Sequence, residues 1–225
     1  MEKNSVPVIA IDGPSASGKG TVAKQVSEKL GFHYLDSGSL YRLVALVATH
    51  TEVHLSDEKE LANIAQNLDV TFKGEEIWLG GEDVADIIRT EICGDRASRV
   101  AAHLQVRKAL LDRQYAFRQS PGLVAEGRDM CSVVFPDAVL KIFLFASVET
   151  RTQRRYKQLM EKGVDVNIES ILQDIRERDA RDSSRSVAPL KQGIDSSFID
   201  TTLLSISESV NEILRRYAAI CAKNI

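Results

Sequence analysis

The stretch VPVIAIDGPSASGKGTVAKQVSEKLG, near the start of the chain, restricts the fold more than any other segment. Val6 to Ile11 is short, β-branched and almost wholly apolar, as a central strand covered on both faces would be. A helical stretch follows and ends at Gly31. Between strand and helix lie Gly13, Pro14, Ser15, Ala16, Ser17, Gly18 and Lys19, a G-x-x-x-x-G-K spacing. Glycines there let successive backbone N–H groups turn inward around an anion. The helix N-terminus adds the positive end of its dipole, and Lys19 adds a full charge. The alternative is a turn that merely joins strand to helix; the lysine position and the strand–loop–helix setting favour the phosphate cradle. Gly20 stands where Ser or Thr normally holds Mg²⁺, with Thr21 one place later. Magnesium bound with ATP is therefore expected to be held through water and the phosphates themselves.

The rest of the chain repeats this alternation. FHYLD, LVAEG, AVLKIFLFA and SFIDTT read as strands. Helices are expected from SGSLYRLVALVATH, from a start at Ser56 with Asp57 and Glu58 behind it, and over 105–119, 147–161 and 168–182. A last one opens at the capping box Ser205-x-x-Glu208. Such an order gives an α/β fold with a central parallel sheet flanked by helices. One segment breaks the rhythm: DVTFKGEEIWLGGEDVADII suits a small antiparallel sheet, an insertion over about 64–102. The polar stretch RTQRRYKQLMEKGVDVN, about 151–167, reads as a short flap between two helices. All of this belongs to a single domain over 1–225.

Composition removes several classes of function. With 225 residues and 44% hydrophobic content the chain can bury a full core. A net charge of -3 argues against a protein that grips a nucleic acid polymer, so any basic site must be concentrated locally. No run of apolar residues is long enough to span a bilayer and no cleavage site follows the first strand, so a cytoplasmic protein without a membrane partner is expected. Cys93, Cys131 and Cys221 form no C-x-x-C pair; they read as small core residues, with no metal site of the protein's own. Neither the D-x-x-G nor the N-K-x-D motif of a GTPase switch occurs.

A second constellation separates a transferase from a module that only binds ATP. In LDSGSLYR, Ser37 and Arg42 flank the start of a helix, where a hydroxyl and a guanidinium can meet an anion; a capped helix with a surface arginine is the alternative. In LVAEGRDM, Arg128 and Asp129 follow a strand end, where open α/β sheets place their ligands. Glu126 is either an acid that helps organise Mg²⁺ or a buried structural carboxylate. In NIESILQDIRERDARDSSR, Ile168, Ile171 and Ile175 share a stripe that should face inward. Taking Arg178 as zero, Asp182 lies near +40°, Arg185 near -20° and Arg181 near -60°, an arc of about 100°. Charges that continue an inward stripe are costly unless a ligand or partner neutralises them; the alternative is a helix end emerging into solvent.

Together, IDGPSASGKGT, LDSGSLYR, EGRDM, VFPDA and RERDARDSSR, with the β-rich insertion, resemble the bacterial-type cytidylate kinases over nearly the whole chain. The resemblance implies a P-loop kinase core with an inserted β-rich NMP-binding subdomain and a short lid. It implies transfer of the γ-phosphoryl group of ATP to CMP or dCMP, giving ADP and CDP or dCDP. Gly13 to Thr21 would hold ATP. Ser37, Arg42, Arg128 and Arg185 would surround the acceptor phosphate, and Ser98, Arg107 and Asp129 would read cytosine. Arg178 and Asp182 would hold the sugar, with Arg181 beside them among the substrate-binding residues. Lid residues Arg154 and Arg155 would approach the donor phosphates, with Lys19, Arg128, Arg154 and Arg185 carrying the chemistry. A monomer is expected. A UMP-preferring or broader nucleoside monophosphate kinase, and a regulatory ATP-binding module without turnover, are the alternatives.

Overall fold

A computed structural model describes residues 6–74 and 76–223. In chain order the first elements are β1 (Val8–Asp12), α1 (Lys19–Leu30), β2 (His33–Asp36), α2 (Ser37–His50) and α3 (Glu58–Gln66). Then come β3 (Val70–Lys73), β4 (Glu76–Leu79), β5 (Glu82–Asp83), α4 (Ala85–Ile88), α5 (Glu91–Val100) and α6 (Leu104–Tyr115). The last are β6 (Leu123–Gly127), a π-helical turn (Met130–Val134), β7 (Leu140–Phe145), α7 (Val148–Glu161), α8 (Ile168–Ser184), β8 (Ser197–Asp200) and α9 (Ile206–Lys223). Two compact units result, one of Met1–Leu35 with Phe117–Ile225 and one of Asp36–Ala116.

The first unit is built on a sheet in the order β2-β6-β1-β7-β8, with β1 parallel to both β6 and β7, and β7 parallel to β8. Every residue of β1 and β6 is buried, which is why both read as near-continuous apolar runs. Ile9, Ile11, Val124, Ile142 and Leu144 of the sheet pack with Val22 and Val26 of α1 and Val210 and Ile213 of α9. Gly31 stops α1 in the left-handed conformation at φ 64°, its N–H bonded to the carbonyls of Ser27 and Glu28. Ser205 and Glu208 form the capping box: the Ser205 N–H donates to Glu208 Oε2 at 2.8 Å, and the Glu208 N–H donates to Ser205 Oγ at 3.2 Å.

Helix α7 matches the helix expected over 147–161, so of the polar stretch 151–167 read as a flap only 162–167 is an irregular connection. The reason is local. Ser147 caps the helix by accepting from the Thr150 N–H, and Leu159 with Tyr156 packs on Ile171 and Ile175 of α8. Arginine and lysine on the other faces mask that stripe when the segment is read for polarity alone. Cys93 and Cys131 are buried, as expected, but Cys221 is exposed, near the end of α9, beyond the residues of that helix that reach the core.

The second unit holds the three-stranded antiparallel sheet β3-β4-β5, with Phe72 opposite Ile77 and Trp78 opposite Asp83. Helix α2 packs against α3 and α5, and α3 against α6. The start of α3 falls one residue later than expected: Asp57 rather than Ser56 is the cap, accepting from the Glu60 N–H at 3.1 Å. Ser56 is turned to the His54 ring, 2.7 Å away.

Candidate active site

Gly13 leaves β1 so close to β7 that a Cβ there would lie 2.1 Å from the Leu144 carbonyl oxygen, so no side chain fits. Ala16 and Gly18 then take positive φ, 55° and 89°, which curls the chain and turns N–H groups to one side. Helix α1 starts at Lys19 with no side-chain cap and no acid in its first turn. Its companions in the same unit are closed: α7 by Ser147, α8 by Asn167 and α9 by Ser205. No side chain caps the start of α1, and a phosphate is the ligand that this end and its dipole suit. Ser15 Oγ and Ser17 Oγ are buried with no hydrogen-bond partner, the pattern of a surface made to meet ligand oxygens. Pro14 is buried within the loop, and Thr21 is exposed on α1.

Lys19 Nζ lies 3.4 Å from the Pro14 carbonyl oxygen and 3.6 Å from Glu126 Oε2, both groups buried. Glu126, at the end of β6, also accounts for Gly20. A Cβ at position 20 would sit 3.2 Å from Glu126 Oε1 and 3.8 Å from Tyr34 Oη, so the carboxylate fills the space that a loop Ser or Thr would need. Among the described residues no cluster of three or more His, Cys, Asp or Glu is placed to hold a metal ion.

Three arginines of α7 sit differently. Arg154 Nη1 donates to the Ser17 carbonyl at 3.1 Å and Nη2 to the Thr201 carbonyl at 2.6 Å; burial lowers its pKa. Arg155 is half-buried and pairs with Gln158 one turn on. Sequence reasoning missed Arg151, which is 4% exposed and has the most connections. It donates through Nε to the Ala146 carbonyl (2.9 Å), through Nη1 to the Ser15 carbonyl (3.1 Å) and through Nη2 to Asp179 Oδ2 (2.6 Å). Only its place in the RTQRR run hints at this, because its partner in the phosphate loop is 136 residues away.

At the end of α8 the charges gather. Arg128 Nε donates to Asp182 Oδ2 at 2.8 Å, with the Asp182 side chain buried and that of Arg128 half-buried. Burial by itself would push the Asp182 carboxyl up, but Arg128, Arg178 and Arg185 outweigh it and hold it below the usual carboxylate range. Burial would likewise lower the Arg128 guanidinium, and Asp182 raises it instead. Helix α8 stops at Ser184, so Arg185 stands as a C-cap in extended backbone, outside the helical arc expected for it. Its Nε donates to the Ala188 carbonyl at 2.6 Å, and it still acts on Asp182. Arg178 and Arg181 are half-buried on the same helix. Asp129 is 3% exposed, directly before the π-helical turn. Sequence reasoning also missed Asp12, a buried carboxylate ending an apolar strand, which accepts from the N–H groups of Met130 and Cys131.

In the second unit, Ser37 is buried in the first turn of α2, behind the cap Asp36, which accepts from the Ser39 N–H at 3.2 Å. Arg42 spends its guanidinium on the carbonyls of Ile88 and Thr90, where α4 ends and α5 begins. Arg107 is buried, donates to the Ala101 carbonyl at 3.1 Å and lies over the Tyr41 ring, 5.6 Å from its centroid. Ser98 is buried on α5. Tyr41 belongs with these residues although its aromatic ring gave no signal inside a helix already rich in apolar residues.

Residues 9–219 match the family model for cytidylate kinase. The chain is 56% identical to the cytidylate kinase of Nitrosomonas europaea, over 97% of this chain and 98% of that one. It is 53% identical to the cytidylate kinase of Cupriavidus necator, over 96% and 97%. A gluconokinase from Sinorhizobium meliloti, 15% identical, superimposes over 98% of this chain and 97% of its own with a TM-score of 0.51, a likeness of fold alone. Among the described residues no helix is long and apolar enough to cross a membrane.

Proposed function

The chain belongs to the cytidylate kinase family, and we propose that it transfers the γ-phosphoryl group of ATP to CMP or dCMP, giving ADP and CDP or dCDP. The phosphoryl-transfer half is carried by one observation: the open N-terminus of α1, preceded by a loop with two buried, unpartnered serine hydroxyls and followed at once by Lys19. The choice of acceptor follows the relatives.

The chemistry needs no general base, because the nucleophile is an already ionised phosphate oxygen. It needs two polyanions held in line and the charge of the moving phosphoryl group neutralised. In this proposal the N–H groups from Gly13 to Thr21 take the donor phosphates, and Lys19 moves from Glu126 to the β- and γ-phosphates. Arg154, already bonded to the Ser17 carbonyl, stands next to that loop and is the stronger lid candidate; Arg155 is the weaker one. Arg128 and Arg185 carry charge for the acceptor phosphate, Arg178 and Asp182 hold the sugar, and Arg181 lines the same helix. Ser37 and Arg42 offer a hydroxyl and a guanidinium to an anion.

Glu126 fits a magnesium ion bound through water: it is a buried carboxylate at the end of β6 beside the loop, where Gly20 leaves no hydroxyl to compete with it. Held there with ATP, the ion would offset phosphate charge. A monomer working on free nucleotides in the cytoplasm is the setting that goes with this activity.

Base choice follows from donor and acceptor chemistry. Cytosine presents an amino donor beside acceptors at N3 and O2, whereas uracil presents O4 and N3–H. The Asp129 carboxylate accepts from the cytosine amino group, with Ser98, and Arg107 donates to the N3/O2 edge. Sites of this kind discriminate by about 10⁴, because the wrong base leaves buried polar groups unpaired. A coupled assay with ATP and each of CMP, dCMP, UMP and AMP is expected to show strong preference for the cytidine nucleotides, narrowed in Asp129→Asn. Equal rates on UMP would replace the proposal with a broader kinase, and no turnover on any acceptor with a regulatory module.

A further inference from the structure

Asp12 ends β1, and each of its carboxylate oxygens accepts one backbone N–H, from Met130 and from Cys131, both at 2.8 Å. Those two N–H groups open the π-helical turn Met130–Val134 and are the donors that a helical start leaves unsatisfied. The residue in the capping position is Asp129, an acid of the kind that normally caps its own helix, yet its side chain makes no capping bond. Asp12 does that work from 118 residues away in the chain. The Cys131 thiol fastens the same turn to the carbonyls of Ala10 on β1 (3.4 Å) and Ile142 on β7 (3.6 Å). Gly13 of the phosphate loop follows Asp12 directly, and Arg128 and Asp129 directly precede the turn.

We propose that Asp12 is a positioning residue for the acceptor: by capping the Met130 turn in place of Asp129, it fixes the backbone carrying Arg128 and Asp129 against the root of the phosphate loop. The Asp129 carboxylate is thereby spared from capping. This rests on the reading that Arg128 and Asp129 bind the acceptor.

The position requires an ionised carboxylate. Two N–H groups converge on two oxygens, and an amide or a protonated carboxyl presents only one full acceptor, its own hydrogen facing the other N–H. Burial, with repulsion from Asp129, outweighs the bonds from Cys131 and Met130 and raises the Asp12 carboxyl to about 6. The ionised cap is therefore present above that value and is lost as pH falls through it. Asp129 and the Cys131 thiol are the charged or titratable groups of the turn that act on it. Its register partners on the flanking strands, Gly127 and Phe143, bring no charge. Because the folded state already disfavours the ionised form, a neutral isostere is expected to fold.

The test measures CMP KM, kcat and ATP Kd for wild type, Asp12→Asn, Asp129→Asn and Arg128→Ala at about pH 7.5 and about pH 5.5. Asp12→Asn is expected to raise CMP KM about tenfold at the higher pH, the effect of one buried N–H left unpaired, with ATP Kd within about twofold. The ratio of variant to wild-type KM is expected to fall toward one at the lower pH. Taking the ratio cancels the ionisation of the CMP phosphate itself, which also titrates near 6. An unchanged CMP KM in Asp12→Asn, with Asp129→Asn impaired, overturns the proposal and leaves the acceptor reading standing. Normal CMP use by both Asp129→Asn and Arg128→Ala overturns the acceptor reading and the proposal with it. A ratio that does not move with pH assigns Asp12 to the fold alone. Should Asp12→Asn not fold, wild type decides. Its CMP KM must rise below about pH 6 more steeply than one phosphate ionisation allows, at constant ATP Kd; a single-ionisation profile overturns the proposal.

Discussion

Between Gly13 and Lys19 the groups offered to a phosphate are chiefly backbone N–H, aimed by positive φ at Ala16 and Gly18 and by the open end of α1. Around Asp182 the groups are side chains, aimed by ion pairs that join Arg128 on one segment to α8 on another, 54 residues apart. A site made of backbone tolerates change in its own side chains but not in its shape. A site made of paired side chains tolerates some change in the backbone but not the loss of a partner, because each removal strands a buried charge. Lys19 is the exception within the first region: a single side chain in a backbone cradle, with a carboxylate beside it.

That exception gives the largest expected effect. Lys19→Ala is expected to lower kcat about a thousandfold, the scale of a lost transition-state charge partner, and to lower the thermal unfolding temperature as well, because the buried Glu126 carboxylate loses this cation. Turnover within about threefold of wild type would break the contrast, since the loop would then work through its backbone alone. Next comes Arg185→Ala, expected to lower kcat/KM for CMP about a hundredfold with ATP Kd nearly unchanged, the worth of charge-assisted bonds to one ligand. Equal losses for both nucleotides would move Arg185 to the donor side or to a structural role. The smallest effect is expected for Arg155→Ala, less than about threefold in kcat, because that guanidinium is paired with Gln158 on its own helix. A larger loss would make Arg155, and not Arg154, the lid arginine.

The same contrast explains what the sequence disclosed. Strand, loop and helix from Val8 to Leu30 are encoded within consecutive residues, and the glycine spacing states the backbone shape directly. The parallel sheet was legible for the same reason, since β1 and β6, buried on both faces, are near-continuous apolar runs. Arg128 stood out by following a strand end and Asp182 by its place on the α8 arc, whereas Arg185 was counted on that arc although the helix ends one residue before it; the first residue that forbids a helix, Pro189, comes only later. Asp12 and Arg151 stayed hidden. Asp12's partners and the phosphate-loop partner of Arg151 lie more than a hundred residues away, and a charge ending an apolar strand or opening a basic helix looks the same whether it is buried or solvated. Helix α7 was legible over 147–161, and only its overlap with the polar stretch read as a flap left the character of 151–161 undecided.

Arg151 holds the Ser15 carbonyl with one guanidinium nitrogen and Asp179 of α8 with another, and it is buried where water cannot substitute for either bond. A shift of the loop carbonyl is thus transmitted to the helix that carries Arg178 and Asp182, and a shift of the helix is transmitted back. For the donor and acceptor subsites proposed above, such a joint makes any exchange of free energy reciprocal: whatever ATP contributes to the hold on CMP, CMP must contribute equally to the hold on ATP.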